Sequence, residues 1–534
     1  MKNNIIPRAK TPEEAGVSSK AVGQFFDEIE KIGMDIHSFM IVRHGKVAAE
    51  CYRAPFTADR PHAMYSVSKT VTATAIGIAA DEGFLSFDTR VKDIFPDYTE
   101  KLHDENLEKL TVLHLLTMTS GKDPSVFADK RKGSWIEYYF SSPWYNEPGK
   151  EFRYINENIY MLSAIIKRTT GQSVREFLRP RLFEPLGISY PFWETDSYGI
   201  EAGGWGLYLK TEDLAKIMLT YSNGGTYNGK RILSEKWVAF AGQKRTDTPK
   251  ETDRDAAQGY GCCTWRCADF NGYRADGLFS QYGIVFEDFD AVVVITAAVV
   301  EQQKCRELIW KYFPSAFTAA DNGEDTSYEG LSDKLACAVL DKLSRLTDSS
   351  YEEKIEGCNI HFKKKLFLNL IGFPMSMLPL AVTYMTTDRA GNIDNMSFRF
   401  GTRDLTLTWS EGDERNTVPV GLDGKYRYGK MRLGQIEYKV CASAKWLERD
   451  RIFLEIRPIE TIGKRTLDIK FFENGKVLMK PSSLPGIFNI AMSLAPGFET
   501  MVGNKKITDK IIPLFRFAPN LLEPTHKGRI KYNK

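Results

Sequence analysis

Up to about residue 318, stretches of helical period alternate with stretches of strand period. Val22, Phe25, Phe26 and Ile29 share one face of a helix predicted over residues 19–33. Residues 38–42 and 46–51 then read as a hairpin around His44-Gly45. Val71, Ala75, Ile78 and Ala79 recur at helical spacing over residues 66–83, with Gly83 as the stop. Further helices are expected over residues 111–119, 159–168, 173–182 and 211–222, and strands over 281–286 and 291–296 on either side of a turn. This mixture predicts an α/β (α+β) domain over residues 1–318.

Beyond it the pattern changes. Residues 319–327 are polar and acidic, as in a linker, and residues 332–346 have the period of an amphipathic helix, so 319–357 reads as linker and helix. From residue 358 to 534 short strands dominate: 395–400, 404–409, 435–444, 451–458, 466–472 and 476–479. Asn474-Gly475 predicts a type I′ hairpin between the last two. An all-β C-terminal domain follows, a small barrel or a sandwich.

Composition narrows the function classes. With 43% hydrophobic and 26% charged residues, the chain is an ordinary globular protein and excludes disorder or coiled coil as its main architecture. Lys+Arg 72 against Asp+Glu 69 leaves a formal charge of +3, too little for a phosphate-neutralising surface, so no nucleic-acid partner is expected. The eight cysteines contain no Cys-x-x-Cys and lack spaced histidine pairs, so neither a metal nor another cofactor is expected. The first twenty residues lack an apolar signal core, which favours a cytoplasmic location. Residues 366–385 carry no charge and follow Lys363, Lys364 and Lys365, as a membrane span would. Pro374 and Pro379 in their middle favour a buried strand or loop pair instead, and no span is expected.

Candidate chemistry starts at Ser66-Val67-Ser68-Lys69, at the opening of the 66–83 helix. Three residues apart on a helix, Ser66 and Lys69 share a face, so the amine can reach the hydroxyl. The helix N-terminus offers free amides to an oxyanion, and burial of the helix lowers the pKa of Lys69 so that it can act as a base. A helix-capping serine beside a solvated lysine would show the same four letters. Tyr154 and Asn156, two apart in an extended segment, present a phenol and an amide on one side. A phenol beside ammonium groups is expected to move toward phenolate and shuttle protons; otherwise Tyr154 is a core residue and Asn156 a helix cap.

Together with the block 110–121 and with Gly203-Gly204-Trp205-Gly206-Leu207 followed by Thr211-Glu212-Asp213-Leu214-Ala215, these motifs resemble the serine β-lactamase-like hydrolases, in the branch of class C β-lactamases, D-alanyl-D-alanine peptidases and esterases. The resemblance spans roughly residues 10–315. It implies an antiparallel sheet flanked by helices with a helical subdomain. It also implies Ser66 as acylated nucleophile, Lys69 as its partner, Tyr154 as proton shuttle and Asn156 as an amide orienting the lysine and the substrate. The third motif of that family falls at Ala275-Asp276-Gly277, where its basic residue is missing. The backbone amide of Leu278, past Gly277, would complete an oxyanion hole with that of Ser66. The expected partner is a small ester, amide or peptide, whereas β-lactams and D-Ala-D-Ala lose a carboxylate anchor.

Other candidates are weaker. Arg274 could supply the missing charge but as a strand neighbour should point away. His114 reads as a packed histidine, and nothing in the sequence pairs His44 or His62 with Ser66. Cys262, Cys263 and Cys267 read as strand packing. Residues 440–446 and 452–457 loosely resemble β-rich tails of such hydrolases, with stabilisation as the expected role.

Overall fold

The computed structural model describes residues 5–124, 134–322, 327–336, 351–364, 393–412, 414–433, 436–486 and 523–532. The chain divides into two compact units, Met1–Ala338 and Val339–Lys534.

The first unit is built on a six-stranded antiparallel sheet. Helix α1 (Ser19–Ile32) starts at Ser18, whose side chain accepts the Ala21 amide, and stops at Gly33 in the left-handed region. Strands β1 (Ile36–Arg43) and β2 (Lys46–Tyr52) follow, joined by His44 and Gly45 with φ of 49° and 71°, the two left-handed residues of a tight hairpin. After helices α2 (Val67–Asp81), α3 (Asn156–Thr170) and α4 (Thr211–Ser222) come β3 (Trp265–Arg266), β4 (Gly272–Gly277), β5 (Gln281–Phe286) and β6 (Ala291–Ala297), then helix α5 (Gln302–Asp321). The sheet order is β2-β1-β6-β5-β4-β3, so the first and last strands in sequence meet at its centre.

One face of the sheet packs against α1 and α5 through Phe25, Phe26, Phe39 and Phe313. On the other face α4 approaches so closely that a Cβ at Gly283 would lie 2.6 Å from Met218. Two predicted helices differ from expectation. The one at residues 111–119 is only Val112–Leu116, because Met118 turns left-handed at φ 58°. The one at 173–182 is α-helical only over Val174–Leu178 and continues over Arg179–Phe183 as a π-helical turn, since Pro180 lacks the amide for the α register.

The second unit is a β-barrel. Its ten strands, β7 (Asn359–Phe362), β8 (Ile393–Phe400), β9 (Asp404–Glu411), β10 (Glu414–Gly421), β11 (Arg427–Leu433), β12 (Ile436–Glu448), β13 (Arg451–Pro458), β14 (Lys464–Phe471), β15 (Lys476–Leu484) and β16 (His526–Lys531), form one sheet. Last pairs with first (β16 with β7), and a bridge between Gly421 and Ser443 closes the ring. Strict alternation places Leu405, Leu407, Trp409, Leu467, Ile469 and Phe471 inside. The turn at Asn474-Gly475 differs from the expected type I′: only Gly475 is left-handed, and Phe472 and Lys476 pair around a three-residue loop. Among the described residues no helix is long and apolar enough to cross a membrane. The apolar segment 366–385 lies outside the described residues.

Candidate active site

Helix α2 is buried from Val67 to Ala79, its first turn included. Ser66 sits at its N-cap position, half-buried, but its side chain makes no capping bond. Tyr65 just before it is held at φ 45°, a conformation costing about 1–2 kcal/mol for an L-residue, with its ring edge-on to Phe279 at 5.6 Å. The strained turn leaves the hydroxyl free for Lys69. Lys69, 1% exposed, places Nζ 2.8 Å from Ser66 Oγ, 2.7 Å from Asn156 Oδ1 and 2.7 Å from the Gly204 carbonyl. These contacts exclude the capping serine and solvated lysine.

The three acceptors match an ammonium, yet burial pulls the pKa of Lys69 down to about 7, against the opposing pull of Cys263 and Glu157. In the neutral form two N–H groups suffice for Asn156 and Gly204. The lone pair then faces the Ser66 hydroxyl, which is the arrangement of a general base.

Asn156 is the first residue of α3 rather than its cap, which is Ile155. Tyr154 lies with its ring centroid 4.8 Å from Lys69 Nζ. The expected drift toward phenolate does not occur. Burial raises the Tyr154 pKa well above the ordinary phenol value, the hydrogen bond with Ser66 lowers it in part, and Asp276, Cys263 and Glu251 raise it further. Tyr154 nevertheless keeps 36% of its surface exposed. Tyr154 is therefore a neutral donor, and the group poised near neutral pH is Lys69.

Strand β4 runs past this turn. A Cβ at Gly277 would stand 2.5 Å from the Met64 carbonyl oxygen, so only glycine lets the strand approach. Among the described residues the backbone amides of Ser66 and Leu278 donate to no other atom, as an oxyanion hole requires. Ala275 is fully buried and brings no charge. Arg274 does not replace one: its guanidinium donates to Asp276 Oδ2 at 2.8 Å and to the Arg266 carbonyl at 2.7 Å, in a buried cluster with Arg306, Asp255 and Asp253.

The structure leaves the other sequence candidates outside the site. His114 Nδ1 accepts the Thr111 amide as part of a helix cap, His44 pairs with Asp290 on the surface, and His62 bonds the buried His37. Cys262 and Cys267 are buried away from it, Cys263 alone is buried beside Lys69, and no group of three metal-ligating side chains exists among the described residues.

Sequence reasoning missed four participants. Gly204 is known there only as part of a glycine-rich block. Glu157 sets charge near Lys69, the neutral thiol Cys263, left-handed at φ 59° and with its pKa pushed up to about 12 by burial, lies beside it, and Trp265 stacks on Tyr154 at 5.8 Å and 24°. None of the last three lies in a recognisable motif.

The sequence model of the Beta-lactamase family matches residues 26–310. The 6-aminohexanoate-dimer hydrolase of Paenarthrobacter ureafaciens is 28% identical over 221 residues, covering 38% of this chain and 55% of that protein. A Beta-lactamase of Pseudomonas fluorescens is 26% identical over 164 residues (29% and 45% of the two chains), and the lovastatin esterase of Penicillium rubens 27% over 160 residues (24% and 40%). The chain thus spans about half the length of these relatives, or less.

Proposed function

The chain belongs to the Beta-lactamase family, and on that premise we propose that it is a serine hydrolase cleaving an ester or amide bond through an acyl-enzyme on Ser66. The observation that carries this reading is the contact of a buried, near-neutral lysine, Lys69, with Ser66 Oγ at 2.8 Å. In this mechanism neutral Lys69 takes the Ser66 proton as Oγ attacks the carbonyl carbon. The amides of Ser66 and Leu278 hold the developing oxyanion, and Tyr154 gives its proton to the leaving group and recovers one from Lys69. Asn156 and the Gly204 carbonyl fix the amine throughout. Water then attacks the ester, its proton passes to the same pair, and Ser66 is freed.

The second unit contributes none of these groups, so we assign the chemistry to residues 1–318. Residues 319–357 then act as linker and helix, and the domain of residues 358–534 as support. A β-lactam or D-Ala-D-Ala substrate is the less favoured alternative, because Ala275 leaves its carboxylate without the usual cation. A non-catalytic binding role would not need a lysine held at a base's pKa.

The pH dependence tests the assignment. Below about pH 7 Lys69 is protonated and its lone pair is lost; above it the base form prevails. The kcat/KM for a neutral p-nitrophenyl ester should therefore rise through an apparent pKa near 7 and level off above it. A flat profile across that range would contradict Lys69 as the base.

A further inference from the structure

Three features of the cleft remain unused by this mechanism. Beside the segment leading to Tyr154 lies a cavity of about 250 Å³, lined among others by Asn146, Lys150, Glu151, Phe152, Thr248 and Glu251. The Glu251 amide closes a turn onto the Thr248 carbonyl at 3.1 Å, which fixes the residue at the cavity wall. Its half-buried carboxylate makes no hydrogen bond or ion pair with any described residue. The neighbouring cation Lys250 is held by Glu151 and by Tyr145, and Lys150 is exposed at the rim.

The wall between this cavity and Tyr154 is aromatic. Phe152 and Trp265, both half-buried, have ring centroids 5.5 Å apart, and both contact the buried Tyr260. Finally, Ala275 supplies no cation, while Arg274 and Arg306 are tied to Asp276, Asp255 and Asp253. A carboxylate without a partner among the described residues, beside aromatic faces and with only the solvent-exposed Lys150 as a nearby cation not already paired, is the chemistry that receives an organic cation.

We propose that this cavity is a leaving-group subsite, and that the preferred substrates carry an ammonium group on the alcohol or amine they release, held by Glu251 beside Phe152 and Trp265. The side follows from Tyr154, the proton donor to the leaving group, which lies two residues after Phe152 on the same segment. The carboxylate is close enough for its charge to raise the Tyr154 pKa, and burial raises its own. The inference rests on the serine-hydrolase reading and specifies its substrates.

Acetylthiocholine and S-(3,3-dimethylbutyl) thioacetate share one shape and differ in charge, so their kcat/KM ratio on the full chain isolates the subsite. A preference for the cation of about tenfold or more is expected, falling as ionic strength is raised. Glu251→Gln should lower kcat/KM for the cationic ester about tenfold more than for the neutral one. Equal wild-type values, or a preference unchanged both in the variant and in salt, would overturn the subsite. If folded protein is acylated by neither thioester, the serine-hydrolase reading itself fails and the subsite falls with it.

Discussion

Lys69→Met lowers the rate of Ser66 acylation by about a thousandfold or more while the fold persists. Methionine matches the length of the lysine stem and is at home in the apolar surroundings of α2, where Lys69 is 1% exposed. What disappears is the amine that meets Ser66 Oγ at 2.8 Å. An unassisted serine hydroxyl is a poor nucleophile at neutral pH, and the free amides and helix dipole that remain stabilise the oxyanion without taking the proton. Asn156 Oδ1 and the Gly204 carbonyl each lose a donor, a cost of about 1–3 kcal/mol per unsatisfied buried group, partly offset because the amine no longer has to be buried. Stopped-flow acylation with a p-nitrophenyl ester, normalised by circular dichroism to folded protein, separates the two effects. Full activity in this variant would transfer the base role to Tyr154 or a histidine.

Tyr154→Phe slows turnover by about a hundred- to ten-thousandfold, the usual range for losing a positioned acid or base. Phenylalanine keeps the stacking on Trp265 and the ring beneath Lys69, so packing is conserved and only the hydroxyl is lost. Because that hydroxyl is neutral, its role is to donate to the leaving group. The loss should therefore be larger for an anilide, whose nitrogen must be protonated, than for a p-nitrophenyl ester, whose leaving group departs as an anion. An unchanged kcat at every pH, for both substrates, would reduce Tyr154 to a packing residue.

Much of this site is legible along the chain because it is built from local spacing. Ser66 and Lys69 lie one helical turn apart, and the run of small and apolar residues to Ala79 already implies a buried helix and a desolvated amine. The alternation in residues 404–411 and 464–471 likewise reveals strands with one inner face. Strands β10 and β16 escape the pattern, the first because Pro419 interrupts it, the second because only Ile530 is large and apolar among its inward residues.

Electrostatics is less legible, because it depends on burial in three dimensions. Tyr154 beside an ammonium group reads as a phenolate. In the fold it is desolvated and faces Asp276 and Glu251, carboxylates far from it in sequence, so the sign of its shift reverses. Trp265 and Cys263 reach the site only because the sheet brings its edge strand β3, the turn before it and the neighbouring strand β4 beside α2.

The central claim is that Ser66 is the nucleophile, and covalent labelling tests it most directly. Folded full-length protein treated with a fluorophosphonate should take up one equivalent, and peptide mass mapping should place the adduct on Ser66, with labelling abolished in Ser66→Ala. An adduct on any other residue, or none at all in folded protein, would contradict the account.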